Sequence, residues 1–285
     1  MASLISVGQI LDQSLEHCRK HYKELLAIVL WIVVASIPFV IGKLLSPTGG
    51  DATLTGGDWV TFAISASGAV LVAVVSLWMY AALTLTVADQ AAGKRVNLKA
   101  LSEQGWKAFW KYLLLTVTLS LIFLGFALII APGYALLLIG SISNKADTLS
   151  AIGTPLFFLG AITTMYLLIK YTVQLAFAPY LLLLEKKSVI ESIKQSAALV
   201  QGRWWATCVR FVIPKALVLL AFLIINYVVF TAIQIFIVLV EGSSSTLALM
   251  IFALSLFLSV FLSAIVTPIM IVTDYYLYDS LRKTR

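Results

Sequence analysis

Four charged residues interrupt apolar sequence where charge is expensive. Lys170 stands in "LLIKYTVQLAFAPY", Arg210 and Lys215 in "CVRFVIPKALVLL", and Asp274 in "IVTDYYLYD". Ionisable groups at membrane depth face a bundle interior or a wet cavity, and mark binding or transport sites. At helical spacing Thr163, Tyr166, Lys170 and Gln174 share one face, with Lys170 about 22 Å along a straight axis from Glu185. Lys170 is then either a ligand-binding cation or a structural lysine that snorkels or meets a carbonyl. Arg203, Thr207, Arg210 and Pro214 share another face. Arginine forks suit phosphate, so a basic cavity for headgroups is one reading and a charged span end the other. Lys215 lies about 18 Å past Arg203, which snorkelling explains less well unless the chain bends at Pro214. Asp274 could neutralise Lys215 or Lys170, or sit as an interfacial carboxylate beside Tyr275, Tyr276 and Tyr278. The candidate ligand-binding set is therefore Lys170, Gln174, Tyr166, Arg210, Lys215 and Asp274.

Other chemistries find less support. His17 and His21 are four apart with Glu24 three further on, a spacing that suits zinc. No third strong ligand stands nearby, so a solvated or headgroup-facing pair is expected, and no metal. There is no phosphate-binding glycine loop, no GxSxG, no HExxH and no carboxylate pair beside a base. Asp51, Asp58 and Asp147 fall in loops without companions. No catalytic residue and no cofactor is expected. Asn226 and Gln234 suit hydrogen bonds between helices, worth ~0.6–2 kcal/mol.

The elements that must hold these residues are membrane spans. Of 285 residues 61% are hydrophobic and 12% charged, with mean hydropathy +1.01; soluble domains carry about 25% charged residues. Continuous runs such as "LLLTVTLSLIFLGFALII" exceed the roughly 20 residues needed to cross a bilayer and lack the alternation of a barrel strand. The expectation is an all-α polytopic bundle of six transmembrane helices, near 24–45, 59–88, 110–140, 154–184, 204–240 and 246–278. Pro38, Pro132, Pro179, Pro214 and Pro268 should each bend a span, while Pro155 should open span four in its first turn. Acids mix with bases before the first run, unlike a cleavable signal.

Lys and Arg gather on alternate loops, so both termini are expected in the cytoplasm of a cell membrane. The opposite side, with "SPTGGDATLTGGD", "SISNKADTLSAIG" and "EGSSS", has only Lys43 and Lys145 as cations. The net charge of +7 thus reflects topology and anionic lipid rather than nucleic acid. Cys18 and Cys208 both fall on the cytoplasmic side, where a disulfide is not expected.

Three polar segments precede the odd-numbered spans: "SVGQILDQSLEHCRKHYKE", "NLKALSEQGWKAFWKY" and "SVIESIKQSAALVQGRWW". Their candidate caps are Ser6, Asn97 and Ser188; the interval from 6 to 97 and from 97 to 188 is 91 residues in both cases. Such regularity points to duplicated units, here 6–91, 97–187 and 188–281, each an interfacial amphipathic helix followed by a transmembrane hairpin. Ser6 with Gln9, and Ser188 with Glu191, fit the capping box. Val7, Ile10, Leu11, Ser14, Leu15, Cys18 and Tyr22 form one apolar face, and Ile190, Ile193, Ala197 and Val200 another. Both helices are expected in the headgroup plane, with Trp106, Trp110, Trp204 and Trp205 as aromatic anchors at the re-entry points.

At "FAPYLLLLEKKSVIESIKQSAALVQGRWWATCVRF", with the opening segment and the closing "YYLYDSLRK", the chain resembles the glycerophosphodiester phosphodiesterase membrane-domain family. The resemblance implies the membrane module alone. The catalytic barrel that gave that family its name needs metal-binding carboxylates and histidines, whereas six spans fill this chain and it has two histidines. Three functions compete: a non-enzymatic protein binding anionic lipid or phosphate-bearing groups as a lipid-handling or scaffold partner of another membrane protein, a small transporter or channel for an anionic solute, and a structural assembly subunit.

Overall fold

The computed structural model describes residues 4–45, 56–94, 96–142, 146–241 and 245–284. Arg95, Lys145 and the loop residues 46–55, 143–144 and 242–244 lie outside them. Every element among the described residues is helical: α1 (Val7–Lys20), α2 (Tyr22–Ala35), α3 (Ile37–Leu45), α4 (Gly56–Ala91), α5 (Leu98–Ala127), a 3-10 turn (Leu128–Ile130), α6 (Ala131–Ile142), α7 (Ala146–Leu175), α8 (Ala178–Leu184), α9 (Val189–Val200), α10 (Trp204–Glu241) and α11 (Ser245–Lys283). Six runs are long and apolar enough to cross a membrane: Tyr22–Gly42, Trp59–Ala91, Ser102–Ile142, Asp147–Leu184, Trp204–Leu239 and Met250–Lys283.

The prolines divide these runs unequally. Pro38, Pro132 and Pro179 each stand second in a new helix, after a break at Ser36, at the 3-10 turn, and at Ala176–Phe177. Pro155, Pro214 and Pro268 lie inside unbroken helices. Pro155 was expected in a first turn, but α7 begins at Ala146, because the small and polar residues ahead of the apolar run also propagate helix.

The chain divides into two compact units, residues 1–109 with 209–285, and residues 110–208. In the first, α1, α2, α3 and α4 pack with α11 around Ile10, Val29, Met79, Leu83, Val87, Ile271, Leu277 and Leu281. In the second, α6 packs along α7, and α9 packs on α7 and α8. Glycine permits the closest approaches. A Cβ on Gly68 would stand 2.4 Å from the Phe39 nitrogen, and one on Gly133 would stand 2.3 Å from the Phe157 nitrogen. Small residues let backbones meet where lipid gives no hydrophobic drive to pack.

The segments ahead of the odd spans differ from one another. Ser6 caps α1 in a full capping box, with Gln9 N–H donating to Ser6 Oγ at 3.2 Å and Ser6 N–H to Gln9 Oε1 at 3.1 Å. Ser188 Oγ accepts from Glu191 N–H at 3.3 Å, and Asn97 Oδ1 accepts from Lys99 N–H at 3.1 Å. The helix after Asn97 does not stop, however: α5 runs unbroken from Leu98 into the third span. α9 stops because Gly202 takes φ +80°, a left-handed turn that glycine adopts without strain. The second segment has Gly105 inside the helix and no such turn.

The buried faces mix small polar and apolar side chains. α1 buries Ile10, Ser14 and His17, leaving Leu15 and Tyr22 exposed. α9 buries Ser192, Ser196, Leu199 and Val200 and leaves Ile190 65% exposed. Both helices bury the positions four, eight and eleven residues after the cap, and α9 adds Val200 at twelve. Lipid is an apolar solvent, so isoleucine can face out while small serines let backbones close in.

Candidate functional site

The second unit holds Lys170, Tyr166 and Gln174. The Lys170 ammonium lies 5.8 Å from the ring centroids of both Tyr166 and Tyr171, within cation–π range. Its carbonyl accepts from Trp204 Nε1 at 3.2 Å. Lys170 was expected near mid-span; it stands 14 residues before the end of the run Asp147–Leu184, with a helix break at Ala176–Phe177 between. α7 ends at Leu175, about 8 Å beyond Lys170, and the Trp204 contact ties Lys170 to the first residue of α10.

Gln174 serves through its backbone. Ser196 Oγ donates to the Gln174 carbonyl at 2.6 Å and accepts from Phe177 N–H at 3.2 Å. Pro179 has no N–H to continue the ladder, and the Ser196 hydroxyl satisfies one acceptor and one donor left at the break.

The first unit holds Lys215, Asp274 and Arg210. Lys215 Nζ meets Asp274 Oδ1 at 2.9 Å, the two side chains 26% and 17% exposed. The same ammonium lies 3.4 Å from the Phe211 ring centroid. Asp274 thus neutralises Lys215. Arg210 Nε donates to the Ile5 carbonyl at 2.7 Å, and Ile5 N–H donates to Ser280 Oγ at 3.2 Å. These two bonds clasp the start of the chain to α10 and α11.

Of the tryptophans, Trp106 stacks on Trp78 at 5.9 Å and 25°, while Trp204 and Trp205 meet edge to face at 4.6 Å. Trp110 and Trp205 are broadly exposed. Asn226 donates within its own helix, to the Phe222 carbonyl at 3.0 Å. Cys18 and Cys208 are free thiols, and burial pushes Cys18 up to about 11.

His17 stands apart from expectation. It is 7% exposed rather than solvated. Its Nε2 lies 2.9 Å from Gln90 Oε1 and its Nδ1 lies 3.2 Å from Tyr276 Oη. Burial holds its imidazole below the ordinary range; His21 and Lys20 push the same way, and the Gln90 bond opposes them. No group of three or more His, Cys, Asp or Glu suited to a metal occurs among the described residues. Gln90 and Tyr276 are 73 and 259 positions from His17, too far for local spacing to reveal.

Six apolar spans, charges held in pairs or on aromatic faces, and amphipathic helices at two span ends define a multi-span α-helical membrane protein. The chain matches the model of a domain family of unknown function, DUF7847, over residues 5–281, and belongs to that family. No curated protein and no solved structure matches it.

Proposed function

We propose that this is a non-enzymatic integral protein of the cell membrane, with both termini in the cytoplasm, that binds the phosphate-bearing headgroups of anionic lipids. It acts as a lipid-handling or scaffold partner for another membrane protein. The observation that carries this reading is Lys170. Its ammonium rests on two tyrosine rings, forms no ion pair among the described residues, and stands level with Trp204 at the start of a span. A cation at that depth meets headgroup phosphate. Lys215 and Arg210 contribute less than the sequence suggests, because Asp274 and the Ile5 carbonyl already engage them.

Kinship with the glycerophosphodiester phosphodiesterase membrane-domain family belongs to the same proposal. Transport of an anionic solute is favoured by the helix break beside Lys170. Against it, Ser196 occupies backbone groups at that break.

The test is native mass spectrometry of lipid adducts, comparing phosphatidylglycerol with phosphatidylcholine. Lys170→Met should weaken the phosphatidylglycerol preference by roughly fivefold, the effect of one interfacial lysine. Lys215→Met/Asp274→Asn, which removes a neutral pair, should leave it unchanged. An undiminished preference in Lys170→Met sinks the reading.

A further inference from the structure

A polar cavity of about 260 Å³ opens beside α1, lined by Gln13, Glu16, His17, Lys20, His21, Gln90, Ala91 and Tyr276. It lies within the first unit and involves none of the residues around Lys170. Its wall contains an unmatched donor. Gln90 is 6% exposed, and its amide nitrogen has no hydrogen-bond partner among the described residues. A buried amide N–H₂ without an acceptor is unfavourable, and Gln90 belongs to the cavity lining, so an acceptor from outside the chain would complete it.

The proton positions follow from the partners. Gln90 Oε1 can only accept, so His17 Nε2 carries the proton and donates to it. A neutral His17 then leaves Nδ1 as an acceptor, filled by the Tyr276 hydroxyl. Burial keeps the ring neutral. The row Tyr276, His17, Gln90 is thus oriented, and its last member ends in an amide nitrogen without an acceptor among the described residues. Lys20 adds a full positive charge to the lining and has no ion pair among the described residues. The His21 ring lies 5.0 Å from that of His17. Glu16, also on the lining, is the opposing charge and lies within electrostatic reach of Tyr276.

We propose that this cavity binds a phosphate-type oxyanion, its oxygens accepting from the Gln90 amide and from the Lys20 ammonium. Ligand pockets usually measure about 300–1,000 Å³. This one holds a headgroup-sized ion rather than a nucleotide or an organic cofactor. The oxyanion comes either from a lipid headgroup or from a free ion.

Two arms separate these sources. Inorganic phosphate is titrated into detergent-solubilised full-length protein and followed by ³¹P line broadening. Phosphatidylglycerol and phosphatidylethanolamine adducts are counted by native mass spectrometry. Gln90→Glu keeps the shape and the acceptor for His17 but replaces the donor with a negative oxygen. It should weaken whichever species binds by roughly tenfold or more, the loss of one charge-assisted bond. Lys20→Gln, at the rim and harmless to folding, should weaken it by roughly threefold to tenfold. Lys194→Gln, on an exposed position of α9, should do nothing. Loss in the phosphate arm identifies a free ion, and loss in the lipid arm alone identifies a headgroup. Equal binding by wild type, Gln90→Glu and Lys20→Gln in both arms overturns the proposal. Lys170→Met should leave Gln90-dependent binding intact, so the two sites succeed or fail separately.

Discussion

The contact between Lys215 and Asp274 should contribute measurably to the stability of the fold. At 2.9 Å two unit charges attract by ~6 kcal/mol if the effective dielectric is about 20. Removing both from water offsets much of that, and residual exposure of each side chain lowers it further. What survives is the penalty for leaving one charge alone. Lys215→Met strands a carboxylate inside the bundle and should cost about 3–4 kcal/mol. Asp274→Asn strands an ammonium that still rests 3.4 Å from the Phe211 ring centroid. That contact returns ~1–2 kcal/mol, so Asp274→Asn should cost only about 2 kcal/mol. The double variant places two neutral side chains together and should lie within about 1 kcal/mol of wild type. Reversible unfolding in mixed micelles, read by circular dichroism against the mole fraction of denaturing detergent, gives all three values. Single variants whose costs add in the double, or Asp274→Asn worse than Lys215→Met, would refute the reasoning.

Further expectations concern the helix break, the hairpins and the buried histidine. Ser196→Ala removes both hydrogen bonds at the break and should lower stability by ~2 kcal/mol; amide exchange at Phe177 should accelerate with it, and unchanged exchange would count against the bridge. Gly133→Ala should disrupt the α6–α7 hairpin, since the added carbon meets backbone at 2.3 Å, whereas a Cβ on Gly125 meets nothing within 4 Å and Gly125→Ala should be silent; yield of monodisperse protein compares them. His17 is held below its ordinary value, so the unfolded chain binds its proton first as pH falls. Stability should be full above about 6.5, decline as pH drops through that value and level off below the folded value, and His17→Gln should flatten that window in thermal melts at stepped pH.

Much of the architecture is legible in the sequence because hydrocarbon imposes it. Six apolar runs, their helical state and the serine caps of α1 and α9 all follow from local composition and spacing. Orientation within those elements is less legible. The apolar faces of α1 and α9 follow from spacing, but in lipid the outward side is also apolar, so small size rather than apolarity selects Ser14 and Ser196 for burial. The glycines at 68 and 133 carried a readable signal, small residues within spans, that charge-centred reading passed over. The end of α7 beyond Lys170 is less legible, because Pro179 marks a break only once a break is separated from a bend. The partners of His17 come from α4 and α11, and no local pattern announces them.

The Ser196 bridge sets a schedule for synthesis. The fourth span emerges with its broken turn already made, but the hydroxyl that satisfies Phe177 lies 19 residues downstream. Until that stretch leaves the ribosome, an amide and a carbonyl at the break depend on water or on the insertion machinery. Completion of α9 therefore acts as a latch: the fourth span is finished not when its last apolar residue enters the bilayer but when the following surface helix folds back onto it. A pause that holds Ser196 inside the ribosome after Phe177 has left it would prolong that open state.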